Sequence, residues 1–252
     1  MDDLSTFATL LADTAGDIAR QYFRTGVVID TKSDDTPVTR ADREIEAALR
    51  RLVAEHRPDD GIVGEEYGNQ ASKNGYTWVF DPIDGTKSFT IGRPTFGTLI
   101  GLCKDDTPIL GIIDQPILKE RWLGVQGQPT TFNGTPVKTR PCATLKDAII
   151  GTGSASQIGA DACQRLEAAA RYMVYHGDCY FYGLIANGWM DCAVEAKLGV
   201  YDYIALVPVI EGAGGKITDW QGQPLTLNSG DTCAASGDPQ VHQTLLNIIG
   251  KI

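Results

Sequence analysis

The sequence is poor in the residues that build soft-metal centres. It has three histidines in 252 residues, and its six cysteines include no C-x-x-C pair. That argues against a zinc site or a disulfide frame. Cys103, Cys142, Cys163, Cys179, Cys192 and Cys233 sit mostly among apolar neighbours, so free, buried thiols in a reducing compartment are expected. Basic residues are also scarce. Lys and Arg total 22 against 32 Asp and Glu, for a net charge of -10. With no basic patch to displace counterions, nucleic acid is excluded as a partner. No apolar run is long enough to span a bilayer, and Met1-Asp2-Asp3 lacks the basic region of a secretory signal. Repeats and low-complexity tracts are missing too. The expectation is a soluble cytoplasmic protein with no membrane partner.

The stretch that is present and unusual runs from Trp78 to Phe89. Trp78-Val79-Phe80 reads as a buried strand that Pro82 and Gly85 stop, and Asp81 and Asp84 emerge where it ends. Gly85-Thr86 follows, with residues that could open a helix, whose unpaired N–H groups suit a phosphate. Carboxylates for a hard cation beside an anion-binding turn make a site for metal-assisted phosphate chemistry. Taken alone, the same stretch also reads as an Asp-Gly turn with a helix cap.

Other segments fall around it. Leu4, Phe7, Ala8, Leu11, Ala15, Ile18, Ala19, Tyr22 and Phe23 recur at helical spacing, and Val27-Val28-Ile29 begins a strand. Thr39-x-x-Asp42 reads as a helix start, with Asp42 as a cap carboxylate. Gly61 to Gly64 is a brief strand ending in Glu65-Glu66, an acidic pair that also fits a solvated surface. Short apolar runs from Phe96 to Val125 predict antiparallel strands. Beyond a polar stretch near Arg140 to Leu145 come alternating strands and helices, and Tyr201-Asp202 opens a late apolar helix. The expected class is α/β or α+β, with residues 1–145 and 146–252 as two halves. His56 and His242 read as surface helix residues, and His176 as structural.

Taken in order, Gly64-Glu65-Glu66, Asp81-Pro82-Ile83-Asp84-Gly85-Thr86 and Tyr201-Asp202 with its helix ending in Gly214-Gly215 resemble the inositol monophosphatase superfamily across nearly the whole chain. The stretches Ile113 to Trp122, Gly177-Asp178-Cys179-Tyr180 and Tyr201 to Gly215 are most similar to its histidinol-phosphate phosphatases. The positions where typical inositol phosphatases carry Trp-Asp and Thr-Asn hold Tyr201-Asp202 and Lys87-Ser88. The resemblance implies a layered α-β-α-β-α sandwich, a homodimer and Mg²⁺ chemistry. Glu65, Asp81 and the Ile83 carbonyl would hold one Mg²⁺, and Asp81, Asp84 and Asp202 a second. A third, weaker ion near Glu65 belongs to the same pattern. Thr86, paired with Asp42, would orient the attacking water, and Glu65 would share in that catalytic set. Gly85, Thr86 and Lys87 would meet the phosphate, beside Asp84 and Asp202.

Asp178 and Glu195 stand where the family reads the rest of its substrate. Two acids there suit the ammonium and imidazole of L-histidinol phosphate better than a neutral polyol. Their plainer readings are a helix cap and a solvated strand end. Inositol monophosphate or another small phosphate ester is the alternative substrate. A non-catalytic metal-binding relative is a third reading, opposed by an intact set of Asp42, Glu65, Asp81, Asp84, Thr86 and Asp202. The loop Lys32 to Thr36 resembles the family's mobile lid, Asp114 and Arg121 in the Asp-Gln-Pro stretch are candidates to buttress the site, and Glu66 reads as structural as readily as functional.

Overall fold

Apolar residues on both faces of two sheets dictate five layers, and the computed structural model, which describes residues 2–26, 29–31 and 37–250, has them. Helices Asp2–Tyr22 and Arg40–His56 cover one face of an eight-stranded sheet. Trp78 and Phe80 point into that layer with Leu11, Ala15, Ile45 and Leu49, while Val79 between them points the other way, as a pleated strand requires. The opposite face packs on helices Tyr180–Ala186 and Leu206–Gly212. Those helices also cover Ala193, Cys233 and Ala235 of a five-stranded sheet. The far face of that sheet, with Cys192, Val194 and Ala234, packs on helices Ala160–Ala169 and Pro239–Ile249. The α-β-α-β-α order expected from the sequence is therefore present. The Val27 and Val28 expectation and the Lys32–Thr36 lid lie outside the described residues.

The large sheet runs in the order Thr135–Pro136, Thr131–Phe132, Glu120–Val125, Thr107–Gln115, Gly97–Lys104, Tyr76–Asp84, Gly61–Gly64, Gly68–Gln70. Its pairs are antiparallel except that Gly61–Gly64 runs parallel to Tyr76–Asp84. In the smaller sheet Tyr172–Tyr175, Ile149–Thr152 and Cys192–Ala196 are mutually parallel, and Thr232–Ser236 and Lys216–Thr218 complete it antiparallel to its neighbours. All six cysteines are free and buried.

Three details differ from the sequence reading. The Trp78 strand does not stop at Pro82 but runs from Tyr76 to Asp84. Asp81 pairs with Leu99 and Asp84 with Gly97, so one extra residue bulges between them, and the Thr98 hydroxyl donates to the Pro82 carbonyl at 2.8 Å. A bulge tolerates proline, which has no N–H to donate, because the unpaired residue owes no ladder bond. The helix after Tyr201 breaks into Val200–Tyr203 and Leu206–Gly212. Finally, His242 is not on the surface. It is 1% exposed, with Nε2 2.8 Å from Thr218 Oγ1 and Nδ1 2.7 Å from Ser236 Oγ. Burial pushes its pKa down to about 4.

Candidate active site

Five strands that run in parallel pairs or triplets deliver their carboxyl ends to one cavity. Gly61–Gly64 ends at Glu65, Tyr76–Asp84 at Gly85, Ile149–Thr152 at Gly153, Tyr172–Tyr175 at His176, and Cys192–Ala196 at Lys197. Residues just past strand carboxyl ends are where α/β folds hold ligands. The cavity measures about 670 Å³ and is lined by Glu65, Asp81, Ile83, Asp84, Gly85, Thr86, Lys87, Asp178, Glu195 and Asp202 among others. Every expected site residue except Asp42 therefore faces it, and Asp42 sits behind Thr86.

The bulge explains how two acids three positions apart share a site. An unbroken strand would send Asp81 and Asp84 to opposite faces, and the extra residue restores a common one. Asp81, Asp84 and Asp202 each place one carboxylate oxygen within 4.8 Å of the others. Asp202 is held by accepting the Gly199 N–H at 2.7 Å, and Asp84 by the Cys179 N–H. Burial, then the facing carboxylates of Glu65, Asp84 and Asp202, push the Asp81 carboxyl well above its ordinary range. Asp84 is raised likewise by burial and by Asp178, Asp202 and Glu195. Like charges gathered out of water are at odds with one another unless protons or cations sit among them. An oxygen-only donor set of this kind fits a hard divalent cation such as Mg²⁺.

Beside the acids, Gly85 begins the short helix Thr86–Thr90 at φ +83°, a left-handed conformation that suits glycine. A Cβ there would also lie 2.5 Å from Asp178 Cγ. The Thr86 hydroxyl lies 3.2 Å from the Ile83 carbonyl and 3.5 Å from Asp42 Oδ1. With one proton it serves these acceptors one at a time. Asp42 caps its helix and also faces Thr86. Its Oδ2 takes the Thr39 N–H at 2.8 Å and the Thr39 hydroxyl at 2.6 Å, closing a capping box, while Oδ1 faces Thr86. Burial raises its pKa to about 6, with the Thr39 bonds opposing.

Glu195 is no solvated strand end. It is buried in the strand Cys192–Ala196, accepts the Tyr182 hydroxyl at 2.8 Å, and burial pushes its pKa up to about 8. Asp178, at φ +50°, accepts from Ser88 Oγ at 2.5 Å and Thr95 Oγ1 at 2.9 Å, so the sequence's helix-cap alternative gives way to a tether onto the Thr86 helix. His176 lines the same cavity, as do Tyr182 and Gln157, which the sequence reading did not single out. Strand-end position was a signal for His176 alone, since Tyr182 and Gln157 stand on the short helices Tyr180–Ala186 and Ala155–Ile158. Asp114 and Arg121 pair at 2.6 Å and line a separate cavity with Asp13 and Arg20, so they do not buttress this site. The Glu66 N–H is held by Glu46.

A profile of the inositol monophosphatase family matches residues 1–251. The bifunctional phosphatase IMPL2 of Arabidopsis thaliana chloroplasts is 42% identical over 258 residues, covering 98% of this chain and 75% of its own. A histidinol-phosphatase of Chlorobaculum parvum is 35% identical over 228 residues, covering 86% of each chain. A solved inositol monophosphatase structure from Zymomonas mobilis superposes with a TM-score of 0.90 at 44% identity, over 99% of this chain and 98% of that one.

Proposed function

The chain belongs to the inositol monophosphatase family of Mg²⁺-using phosphoric monoester hydrolases, and from that premise we propose that it hydrolyses L-histidinol phosphate to L-histidinol and phosphate, as in histidine biosynthesis. The observation that carries the chemistry is the convergence of Asp81, Asp84 and Asp202 beside the Gly85-Thr86 turn. Glu65, Asp81 and the Ile83 carbonyl would hold one Mg²⁺, Asp81, Asp84 and Asp202 a second, and the Glu65 side a weaker third. Such ions lower the pKa of an attacking water and offset the charge that grows on the phosphoryl oxygens.

The protein's own groups do the rest. Water attacks phosphorus, the ester P–O bond breaks, and the leaving oxygen takes a proton from solvent water to depart as the alcohol. Thr86 Oγ1 orients the water and hands its proton toward Asp42, a carboxylate raised close to neutrality and so able to hold it. The N–H groups of Gly85 and Thr86, with the exposed Lys87 ammonium, receive the phosphate. Glu195, fixed by Tyr182, and Asp178 give the alcohol half an acidic wall that an ammonium or imidazolium would neutralise. The reading also includes a cytoplasmic homodimer. No helix among the described residues is long and apolar enough to cross a membrane.

The second reading keeps the chemistry and takes inositol monophosphate, favoured by the 44% identity to an inositol monophosphatase. Phosphate release from the two esters, with Mg²⁺ and with chelator, separates them.

A further inference from the structure

Glu46 lies on the helix Arg40–His56 and is fully buried at 0% exposed. A carboxylate in that position needs hydrogen-bond partners. Oε2 takes the Glu66 N–H at 2.7 Å, and Oε1 takes the Tyr67 N–H at 3.1 Å and Arg50 Nε at 2.7 Å. Arg50 in turn donates to the Gly68 carbonyl and stands 6.0 Å over the Tyr67 ring. The Glu46–Arg50 pair thus encloses the turn between the short strands Gly61–Gly64 and Gly68–Gln70. Gly64 makes room for it, since a Cβ there would lie 2.0 Å from Glu46 Oε1 and 2.7 Å from Arg50.

Glu65 is the residue this clamp brackets. Its own N–H donates to the Phe80 carbonyl at 3.3 Å, one residue before Asp81, whose carboxyl faces the Glu65 carboxylate. The next two N–H groups along the chain are those that Glu46 holds. Gly68–Gln70 is exposed and three residues long, so the hairpin itself offers little to fix the turn. We infer that Glu46 is a positioning residue for the metal cluster: through the Glu66 and Tyr67 N–H groups it fixes the backbone that aims the Glu65 carboxylate, and so sets metal affinity. The inference rests on the reading of Glu65 as a metal ligand.

Magnesium titration by calorimetry tests it on wild type, Glu46→Gln, Glu65→Gln and the double variant. Glu46→Gln keeps the volume but replaces one acceptor with an NH₂ group that must face an N–H or Arg50. The expected result is a dissociation constant for Mg²⁺ raised about tenfold or more, typical of losing a group that orients a ligand. KM for the phosphate ester stays unchanged, and most of kcat returns at saturating Mg²⁺. In the Glu65→Gln background, adding Glu46→Gln should change Mg²⁺ affinity little. Should Glu46→Gln not fold, Arg50→Lys serves, with a smaller shift in the same direction. Unchanged Mg²⁺ affinity in Glu46→Gln or Arg50→Lys, or an equal loss with and without Glu65, overturns the positioning role. Unchanged affinity in Glu65→Gln alone overturns instead the ligand reading beneath it.

Discussion

Replacing Glu195 by Gln should stabilise the metal-free protein, and more so as pH rises. Burial lifts the Glu195 carboxyl from its ordinary 4.5 to about 8. Between those values the folded chain holds a proton that the unfolded chain has released. Wild-type stability therefore falls as pH climbs from about 4.5 to 8 and levels off above, the group being costly only where the unfolded form is ionised. At 1.36 kcal/mol per pK unit, this amounts to at most about 4 kcal/mol at pH 8 and under about 1 kcal/mol at pH 5. Glutamine fills the same space, can accept the Tyr182 hydroxyl, and carries no charge to bury. For a chain of this size about 4 kcal/mol corresponds to a Tm difference on the order of 10 °C. Thermal unfolding of both proteins in chelator at pH 5 and pH 8 reads it directly. Asp42, Asp81 and Asp84 remain in both proteins, so their common pH slope largely cancels in the comparison. A Tm difference that stays flat with pH, or a Glu195→Gln protein less stable at pH 8 than wild type, would refute the reasoning.

A buried histidine outside the cavity and the two acids of its wall give further outcomes. His242, held neutral between two hydroxyls, has its pKa lowered from 6.5 to about 4, so it costs stability as pH falls through that window and not above it. Urea unfolding should show His242→Gln at a disadvantage at pH 7 that shrinks by up to about 3 kcal/mol by pH 4; a constant gap would contradict the neutral, buried imidazole. Glu195→Ala and Asp178→Ala should raise KM for histidinol phosphate by about tenfold or more while changing that for a neutral phosphate ester far less. Equal losses on both esters would remove the acidic wall as the source of selectivity.

How far the sequence carried the fold is clearest in the strand Tyr76–Asp84. Its apolar run Trp78-Val79-Phe80 placed it in the core, yet proline's reputation as a strand breaker concealed that Asp81 and Asp84 lie on one continuous, bulged strand. The bulge depends on pairing with Gly97–Lys104, a partner that local sequence does not name. Asp42 was legible as a cap from Thr39-x-x-Asp42, and its second contact, to Thr86, spans 44 positions and emerged only through family resemblance. Tyr182, Gln157 and Glu46 carry no local signal, because their roles arise where separate strand ends and helices converge. His242 shows the limit in reverse. On a helix with polar neighbours a histidine looks solvated, and only the packing of Thr218 and Ser236 against it makes it a buried one.

The central claim is metal-dependent hydrolysis with an acid-lined alcohol pocket, and the most direct measurement is phosphate release from L-histidinol phosphate and inositol 1-phosphate side by side. Each is run with Mg²⁺ and with chelator. Mg²⁺ should switch release on and chelator abolish it, with a kcat/KM for histidinol phosphate at least about tenfold above that for the inositol ester, a difference of roughly 1.4 kcal/mol in transition-state binding. Equal or greater turnover of inositol 1-phosphate would contradict the reading of Glu195 and Asp178, and release that persists in chelator would contradict the metal centre of Asp81, Asp84 and Asp202.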